Sequence, residues 1–264
     1  MPGAGAAAGV TLSGGLFSAA LLVSWLGSVV HILGADRPIS AMSPRMFRVP
    51  VRGAKVVAAT LSTLLFFMCV ASFATNRSRP AAAAAMLLLL AAVRGVERAQ
   101  WPGDLVVRLG KYPPAGACLF GWLCGWSVAC GLGRPDADAL GWHAACGVMG
   151  AAYFLSAFAK LRASGADWMR WEYHALLIRE RSFRGPHWLR SLRRNISTSK
   201  VACSAVGRGG LAIELLAASF VFPVARPFVG VSVLSLLAGF ALLFGYFEPE
   251  WMLLVCALTA VSWP

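Results

Sequence analysis

Charged residues are scarce in this sequence, and acidic ones are the scarcest. Only 13% of the 264 residues are charged, 58% are hydrophobic, and the mean hydropathy is +0.68. Soluble chains carry about twice that share of charge, so an ordinary soluble globular domain is excluded. The sequence instead predicts an all-α fold: a single domain, residues 1–264, that forms a polytopic membrane helix bundle.

Paired cysteines and metal-ligand spacings are also lacking. None of the seven cysteines forms a C-x-x-C pair, and most fall inside apolar runs. This pattern supports neither a metal site nor a disulfide oxidoreductase, and it predicts buried free thiols. Cys118, Cys124 and Cys130 are six residues apart, about 240° round a helix, so they do not share one face. No positive charge precedes the first apolar run, so a cleaved signal peptide is not expected.

Apolar runs recur along the whole chain at lengths near the roughly 20 residues that a membrane-spanning helix needs. They predict about seven to eight transmembrane helices. The last run is short and is expected to cross at a tilt or to re-enter the membrane. The predicted spans are residues 12–34, 55–74, 81–99, 115–132, 140–161, 201–222, 226–247 and 251–263.

The basic residues that give the net charge of +13 lie between the apolar runs. This distribution is typical of cytoplasmic loops beside a lipid bilayer, and it argues against a nucleic-acid partner. The basic loops 35–55, 94–111 and 160–200 each follow an odd-numbered span, whereas the net acidic loop 133–139 follows an even-numbered one. The N-terminus is therefore expected outside and the loop 162–200 in the cytoplasm. The Ala-, Gly- and Arg-rich composition favours a bacterial plasma membrane.

The densest charge lies in residues 160–200, which hold ten Lys or Arg against three acids. Arginines alternate there with aromatic and leucine side chains, a pattern that suits helices lying in the lipid headgroup plane. We call residues 162–200 the basic layer, and we predict that Gly185-Pro186 divides it into two helices between the fifth and sixth spans. His174 and His187 lie in the basic layer without metal-ligand spacing and are predicted to be solvated.

Ionisable residues inside the apolar runs mark functional sites by default, because burying them is costly. Lys160 ends the fifth span, and Glu214 is the only acid deep in an apolar run. Glu214 is expected to pair with Lys160 or with another basic residue. Two other interpretations stay open: a lysine that snorkels to the interface, and an ion pair that fixes helix register. The remaining members of this class, which are interpreted as boundary residues or weaker candidates, are Arg94, His31 and His143.

Two blocks around these residues resemble a known family. The first is YFLSAFAKL, which ends in Lys160-Leu161 and is followed by Ala-Asp-Trp and an aromatic segment. The second is VGRGGLAIELLAASFVFPVARPF, with glycines, an acid in an apolar helix and an arginine that opens the next span. In order and spacing, residues 100–264 resemble the membrane domain of the vitamin K-dependent γ-carboxylases, also called the horizontally transferred transmembrane (HTTM) domain. Free-standing members include the sporulation-delaying protein B-like family.

The resemblance implies a maturation or modification factor for a small peptide or a lipid-soluble substrate. It assigns Lys160 as the catalytic general base, because burial disfavours its charged form, and Glu214 as the intramembrane acid. It also implies γ-carboxylase-like lyase chemistry, a reduced quinone as cofactor, a small secreted peptide as substrate and a partner membrane protein. Two histidines of the family are absent here, and its A-G-x-x-K-L glycine is Ala157. The alternatives are a non-enzymatic membrane partner or immunity subunit and, less well supported, a transporter.

Overall fold

Helices make up every regular element in the part of the chain that the structure describes. The structure is a computed structural model, and it describes residues 14–26, scattered positions between 60 and 84, and residues 114–261. These ranges contain no strand, which confirms the all-α class. Several predictions lie outside the described residues: the loops 35–55 and 94–111, much of the spans 12–34, 55–74 and 81–99, and the residues His31 and Arg94.

We label eight α-helices of the described ranges in chain order. Short 3₁₀ turns extend α3 and α6 and precede α7, and a π-helical turn, Phe240–Phe244, extends α7. The helices are α1 (Gly14–Leu26), α2 (Pro114–Gly131), α3 (Ala137–Ser164), α4 (Trp171–Arg181), α5 (His187–Thr198), α6 (Lys200–Leu216), α7 (Arg226–Gly239) and α8 (Pro249–Thr259).

Three helical stretches are long and apolar enough to cross a membrane: Ala137–Met169, Lys200–Val221 and Pro223–Phe244. They cover most of the predicted spans 140–161, 201–222 and 226–247. Helix α8 has only 11 residues. At 1.5 Å per residue it is about 16 Å long, roughly half the thickness of a bilayer's hydrocarbon core. The full bundle of seven to eight spans stays a prediction.

Small residues let α2 and α3 approach each other closely. A Cβ atom added at Gly125 of α2 would lie 2.7 Å from both the Cβ of Ala144 and the carbonyl oxygen of Leu140. No larger side chain fits there, and close backbone contact of this kind is a common way of joining helices in membranes. Phe17 of α1 packs edge-on against Trp142 of α3, with ring centroids 5.4 Å apart. Helices α1, α2 and α3 therefore share one apolar core.

The basic layer folds as two helices, α4 and α5, which are separated at Gly185 and Pro186. Gly185 has φ 96°, a left-handed conformation that favours glycine, and Pro186 directly precedes the first residue of α5. His187 is exposed, as predicted, in the first turn of α5. The connection at residues 182–186, with Gly185 and Pro186, thus allows α5 to fold back beside α4.

One arginine of the basic layer faces inward. The Arg193 side chain is buried, and its guanidinium donates hydrogen bonds to the carbonyl oxygens of Leu242 at 2.7 Å and of Arg181 and Arg184 at 2.9 Å. Carbonyl groups at helix ends lack partners within their own helix, so a buried donor there is strongly favoured. Arg193 thereby ties α5 both to the turn that follows α4 and to the end of α7.

Candidate functional site

Helices α3 and α6 bring the two predicted site residues together. Lys160 lies near the C-terminal end of α3, and Glu214 lies in the last turn of α6. The Lys160 Nζ donates a hydrogen bond to Glu214 Oε1 and forms an ion pair with it. Of the two pairings that the sequence left open for Glu214, the structure therefore has the one with Lys160.

The two partners of this ion pair differ in exposure. The Lys160 side chain is 20% exposed, whereas the Glu214 side chain is 3% exposed. The second carboxylate oxygen, Glu214 Oε2, is buried without a hydrogen-bond partner among the described residues. The ring of Trp168 lies under the ammonium group, with 5.1 Å between Lys160 Nζ and the ring centroid. The amine is thus held by a carboxylate and an aromatic face, while part of the Lys160 side chain stays exposed.

A cleft of about 440 Å³ lies beside the ion pair. Its lining combines ionisable side chains with aromatic and aliphatic ones, so the pair is not sealed by leucine and phenylalanine alone. Tyr173 and Tyr246, which are 41% and 55% exposed, lie where the cleft meets the surface. The other polar lining residues are Lys160, Glu214, Trp168, His174, Glu180, Arg181 and Glu248, and the larger apolar ones are Leu177, Val206, Leu211, Phe240 and Phe244.

The ion pair determines what Lys160 can do chemically. A lysine that donates to a carboxylate keeps its proton and is not a base. Passing that proton along the hydrogen bond to Glu214 leaves a neutral amine beside a neutral acid. Because separated charges are costly in apolar surroundings, this neutral pair is accessible here at a smaller cost than in water. The arrangement therefore allows Lys160 to accept a proton from a substrate only in concert with Glu214.

The prediction that His174 is solvated is wrong, because its side chain is only 4% exposed. The backbone carbonyl oxygen of Trp168 lies 2.8 Å from His174 Nε2, which assigns the ring proton to that nitrogen. Burial, together with the nearby positive charge of Lys160, lowers the pKa of His174 below its ordinary 6.5, so the ring is neutral at pH 7. In that tautomer Nδ1 is an acceptor, and it has no partner among the described residues.

A glycine on the facing helix makes room for His174. A Cβ atom added at Gly207 of α6 would lie 2.3 Å from His174 Nε2, so even alanine would overlap the ring. The hydrogen bond to the Trp168 carbonyl therefore depends on a bare backbone at Gly207. Trp168 in turn lies against Lys160, so Gly207 and His174 together set the wall of the cleft. A histidine at this position cannot be assigned to the site from its sequence spacing.

Tyr153 is a further residue of this region that the sequence interpretation passed over. Its side chain is 7% exposed, its hydroxyl has no hydrogen-bond partner among the described residues, and its ring lies 5.1 Å from that of Trp251. It precedes Lys160 by seven residues, two helical turns, and so lies on the same face of α3. This seven-residue separation can be read from the sequence, so it could have assigned Tyr153 to the same helix face as Lys160.

A second buried polar contact lies toward the start of α3. Arg226 is 1% exposed, and its Nη2 lies 2.9 Å from His143 Nδ1, while its Nε donates to the carbonyl of Phe220 at 3.2 Å. Because a guanidinium only donates, His143 Nδ1 is the acceptor. His143 lies 17 residues before Lys160, about 25 Å along the helix axis, so it does not belong to the cleft. The contact links His143 of α3 to Arg226, the first residue of α7.

The described residues contain no group of three or more His, Cys, Asp or Glu side chains that could hold a metal ion. Their cysteines are free thiols. Cys118, Cys146 and Cys203 are buried as predicted, whereas the prediction of burial is wrong for Cys130, which is exposed, and only partly right for Cys124 and Cys256. Cys118, Cys124 and Cys130 differ in exposure, as their spacing round α2 predicts. Cys69 lies outside the described residues.

Comparisons with protein-family models, with curated protein sequences and with solved structures find no match for this chain. The HTTM resemblance accordingly rests on the two sequence blocks around Lys160 and Glu214, and it stays a prediction.

Proposed function

We propose that this protein is an integral membrane maturation factor of the HTTM type, which acts on a small peptide or a lipid-soluble substrate in the cleft beside Lys160. The observation that carries the proposal is the cleft itself. Its ion pair includes a partially exposed lysine side chain that lines the cleft next to other polar groups, and a purely structural pair needs no such opening. Lys160 is the general base, Glu214 receives its proton, and the reaction is a γ-carboxylase-like lyase step.

Three residues support the assignment of an apolar or amphiphilic substrate. Phe240, Phe244 and Leu177 are among the apolar residues that line the cleft. Pockets that combine an apolar lining with a few convergent polar groups are typical of small-molecule and peptide sites. A peptide side chain or a lipid-soluble head that enters the cleft would displace water and bring its proton to the Lys160–Glu214 pair.

A reduced quinone, which the resemblance implies, fits the chemistry of this lining. The rings of Trp168, Phe240 and Phe244 would hold its aromatic nucleus, and the exposed hydroxyl-bearing side chains of Tyr173 and Tyr246 suit its hydroxyl groups. Such a group supplies two electrons and two protons when bound. The residues of this chain would orient it and move a proton at Lys160.

The second candidate function is a non-enzymatic membrane partner or immunity subunit. The near-complete burial of Glu214 favours it, because a buried acid that is paired with a lysine also fixes the register of α3 against α6. Under this alternative the cleft is unused, and the lysine has only a structural role.

Comparative peptidomics tests the proposal directly. Secreted peptides would be compared by mass spectrometry among cells that naturally produce this protein, cells with its gene deleted, and deleted cells that carry the gene again. We expect at least one small secreted peptide, encoded beside this gene, to lose a modification or its mature form on deletion and to regain it on complementation. Identical peptide profiles in all three strains would contradict a maturation role.

We propose that the protein lies in a bacterial plasma membrane with its N-terminus outside, seven to eight spans and the basic layer in the cytoplasm. Single cysteines at Ser191 and Pro135, two exposed positions on opposite predicted sides, test this orientation. A membrane-impermeant maleimide should label Pro135→Cys in intact cells and Ser191→Cys only after permeabilisation, above the background of the parent protein. The reverse labelling pattern would overturn the orientation.

A further inference from the structure

The turn between α4 and α5 forms a second, smaller cleft, separate from the one beside Lys160. Its volume is about 210 Å³, and it is built from one aromatic and five polar or basic side chains. None of the lining residues among those that the structure describes carries a carboxylate. The lining residues are Ser182, Phe183, His187, Arg190, Ser191 and Arg194.

The two arginines of this cleft are available to an anion. Arg190 and Arg194 lie one helical turn apart on α5, so their side chains project to the same face, and both are exposed. Neither has an ion-pair partner among the described residues. Two guanidinium groups spaced by one turn suit the oxygens of a phosphate group, which arginine binds with paired, charge-assisted hydrogen bonds.

The wall opposite the arginines is held rigidly. Arg193 Nη1 donates to the carbonyls of Arg181 and Arg184, one on each side of Ser182 and Phe183. Ser182 is itself buried, and its hydroxyl donates to the carbonyl of Arg179 at 2.7 Å. The cleft therefore has a hydrogen-bonded back wall as well as exposed arginines, which distinguishes it from a row of basic side chains on an open helix.

One exposed aromatic side chain belongs to the lining itself: Phe183 is 74% exposed. A soluble anion would gain nothing from this ring, whereas a lipid would place an acyl chain against it while its phosphate meets the arginines. The described residues also include three helices long enough to cross a membrane, and α5 follows the first of them along the chain. A lipid surface is therefore expected close to α5.

We propose that this cleft is a binding site for the phosphate of an anionic phospholipid, held by Arg190 and Arg194. The lipid is bound with its headgroup between α5 and the 182–186 turn and an acyl chain along Phe183. This site is independent of the chemistry at Lys160, and its failure would leave the proposed maturation role untouched.

Native mass spectrometry of the full chain in detergent tests the site, with phosphatidic acid and phosphatidylcholine as the two probes. The double variant Arg190→Gln with Arg194→Gln should raise the dissociation constant of the most tightly bound phosphatidic acid about tenfold or more. Each basic residue near the surface contributes about 1 kcal/mol to the binding of an anionic lipid. The matched control is Arg179→Gln with Arg208→Gln, which removes the same charge at two other exposed arginines. We expect the control to change the affinity less than about threefold, and phosphatidylcholine to bind weakly to all three proteins.

Three results would overturn the proposal: equal loss in both double variants, no loss in either, or full displacement of the lipid by inorganic phosphate. The first means that only the overall charge matters, and the second means that the lipid binds elsewhere. The third means that the site takes a free phosphate. Thermal unfolding of each variant in the same detergent checks that all of them are folded, and none of the exchanged arginines is buried.

Discussion

Lys160→Met is expected to abolish maturation of the substrate and to lower the free energy of unfolding by about 3–5 kcal/mol. The stability loss follows from Glu214, which is 3% exposed and is left without its ion-pair partner. The loss of activity follows from the amine, which in our proposal is the group that accepts the proton. Thermal unfolding in detergent measures the first effect, and the secreted peptide profile measures the second.

The double variant Lys160→Met with Glu214→Gln separates the two roles. Removing both charges should recover a large part of the stability, because a buried amide costs less than a buried unpaired carboxylate. Maturation should stay lost in the double variant. Lys200→Met is the matched control: this lysine is exposed and only rests 5.3 Å from the Trp171 ring, so stability should change by less than about 1 kcal/mol. Recovery of both stability and maturation in the double variant would show that Lys160 is purely structural.

Arg193→Ala is expected to destabilise the protein by about 3–5 kcal/mol, an effect comparable to that of Lys160→Met. The change leaves the carbonyls of Leu242, Arg181 and Arg184 without their common donor. It also frees α5 from the end of α7. Arg193→Lys keeps the charge but not the planar fork, so it should recover only part of the loss. The midpoint of thermal unfolding in detergent measures the series.

The neighbours of Arg193 on the same helix provide the control for this series. Arg190→Ala and Arg194→Ala remove the same side chain at exposed positions and should change stability by no more than about 0.5 kcal/mol. If all three alanine variants lost equal stability, the effect would come from net charge or helix propensity. The buried hydrogen bonds of Arg193 would then not account for the loss of stability.

Much of the helical framework follows from local sequence. Runs of apolar residues predict α3 to within a few residues, and they predict α6 and α7 equally well once the short turns that extend these helices are included. The reason is that a backbone that leaves water must satisfy its hydrogen bonds within each segment. Gly185-Pro186 predicts the separation of α4 from α5, because proline cannot continue a helix and the glycine adopts a left-handed conformation. Lys160 and Glu214 stand out for a similar local reason: they are charges in apolar surroundings.

Other features depend on which helix faces meet. On α3, Tyr153 and Ala157 are buried whereas Phe154, Leu155 and Phe158 are exposed, although all five are apolar or aromatic. In a helix that crosses a membrane, lipid-facing and core-facing positions have similar hydropathy, so the pattern does not reveal which face packs. The burial of His174 against Gly207 and of Arg193 against three carbonyls also depends on which helix faces meet.

The sequence alone therefore determined the helical class, the approximate ends of the long helices and the two ionisable residues most costly to bury. These are properties of one segment and its immediate neighbours. The partnership of Lys160 with Glu214, the cleft beside them and the inward turn of His174 and Arg193 were decided by the tertiary structure. Each requires two or three helices to meet in a particular register, and that register is set by close packing at positions such as Gly125 and Gly207 rather than by hydropathy.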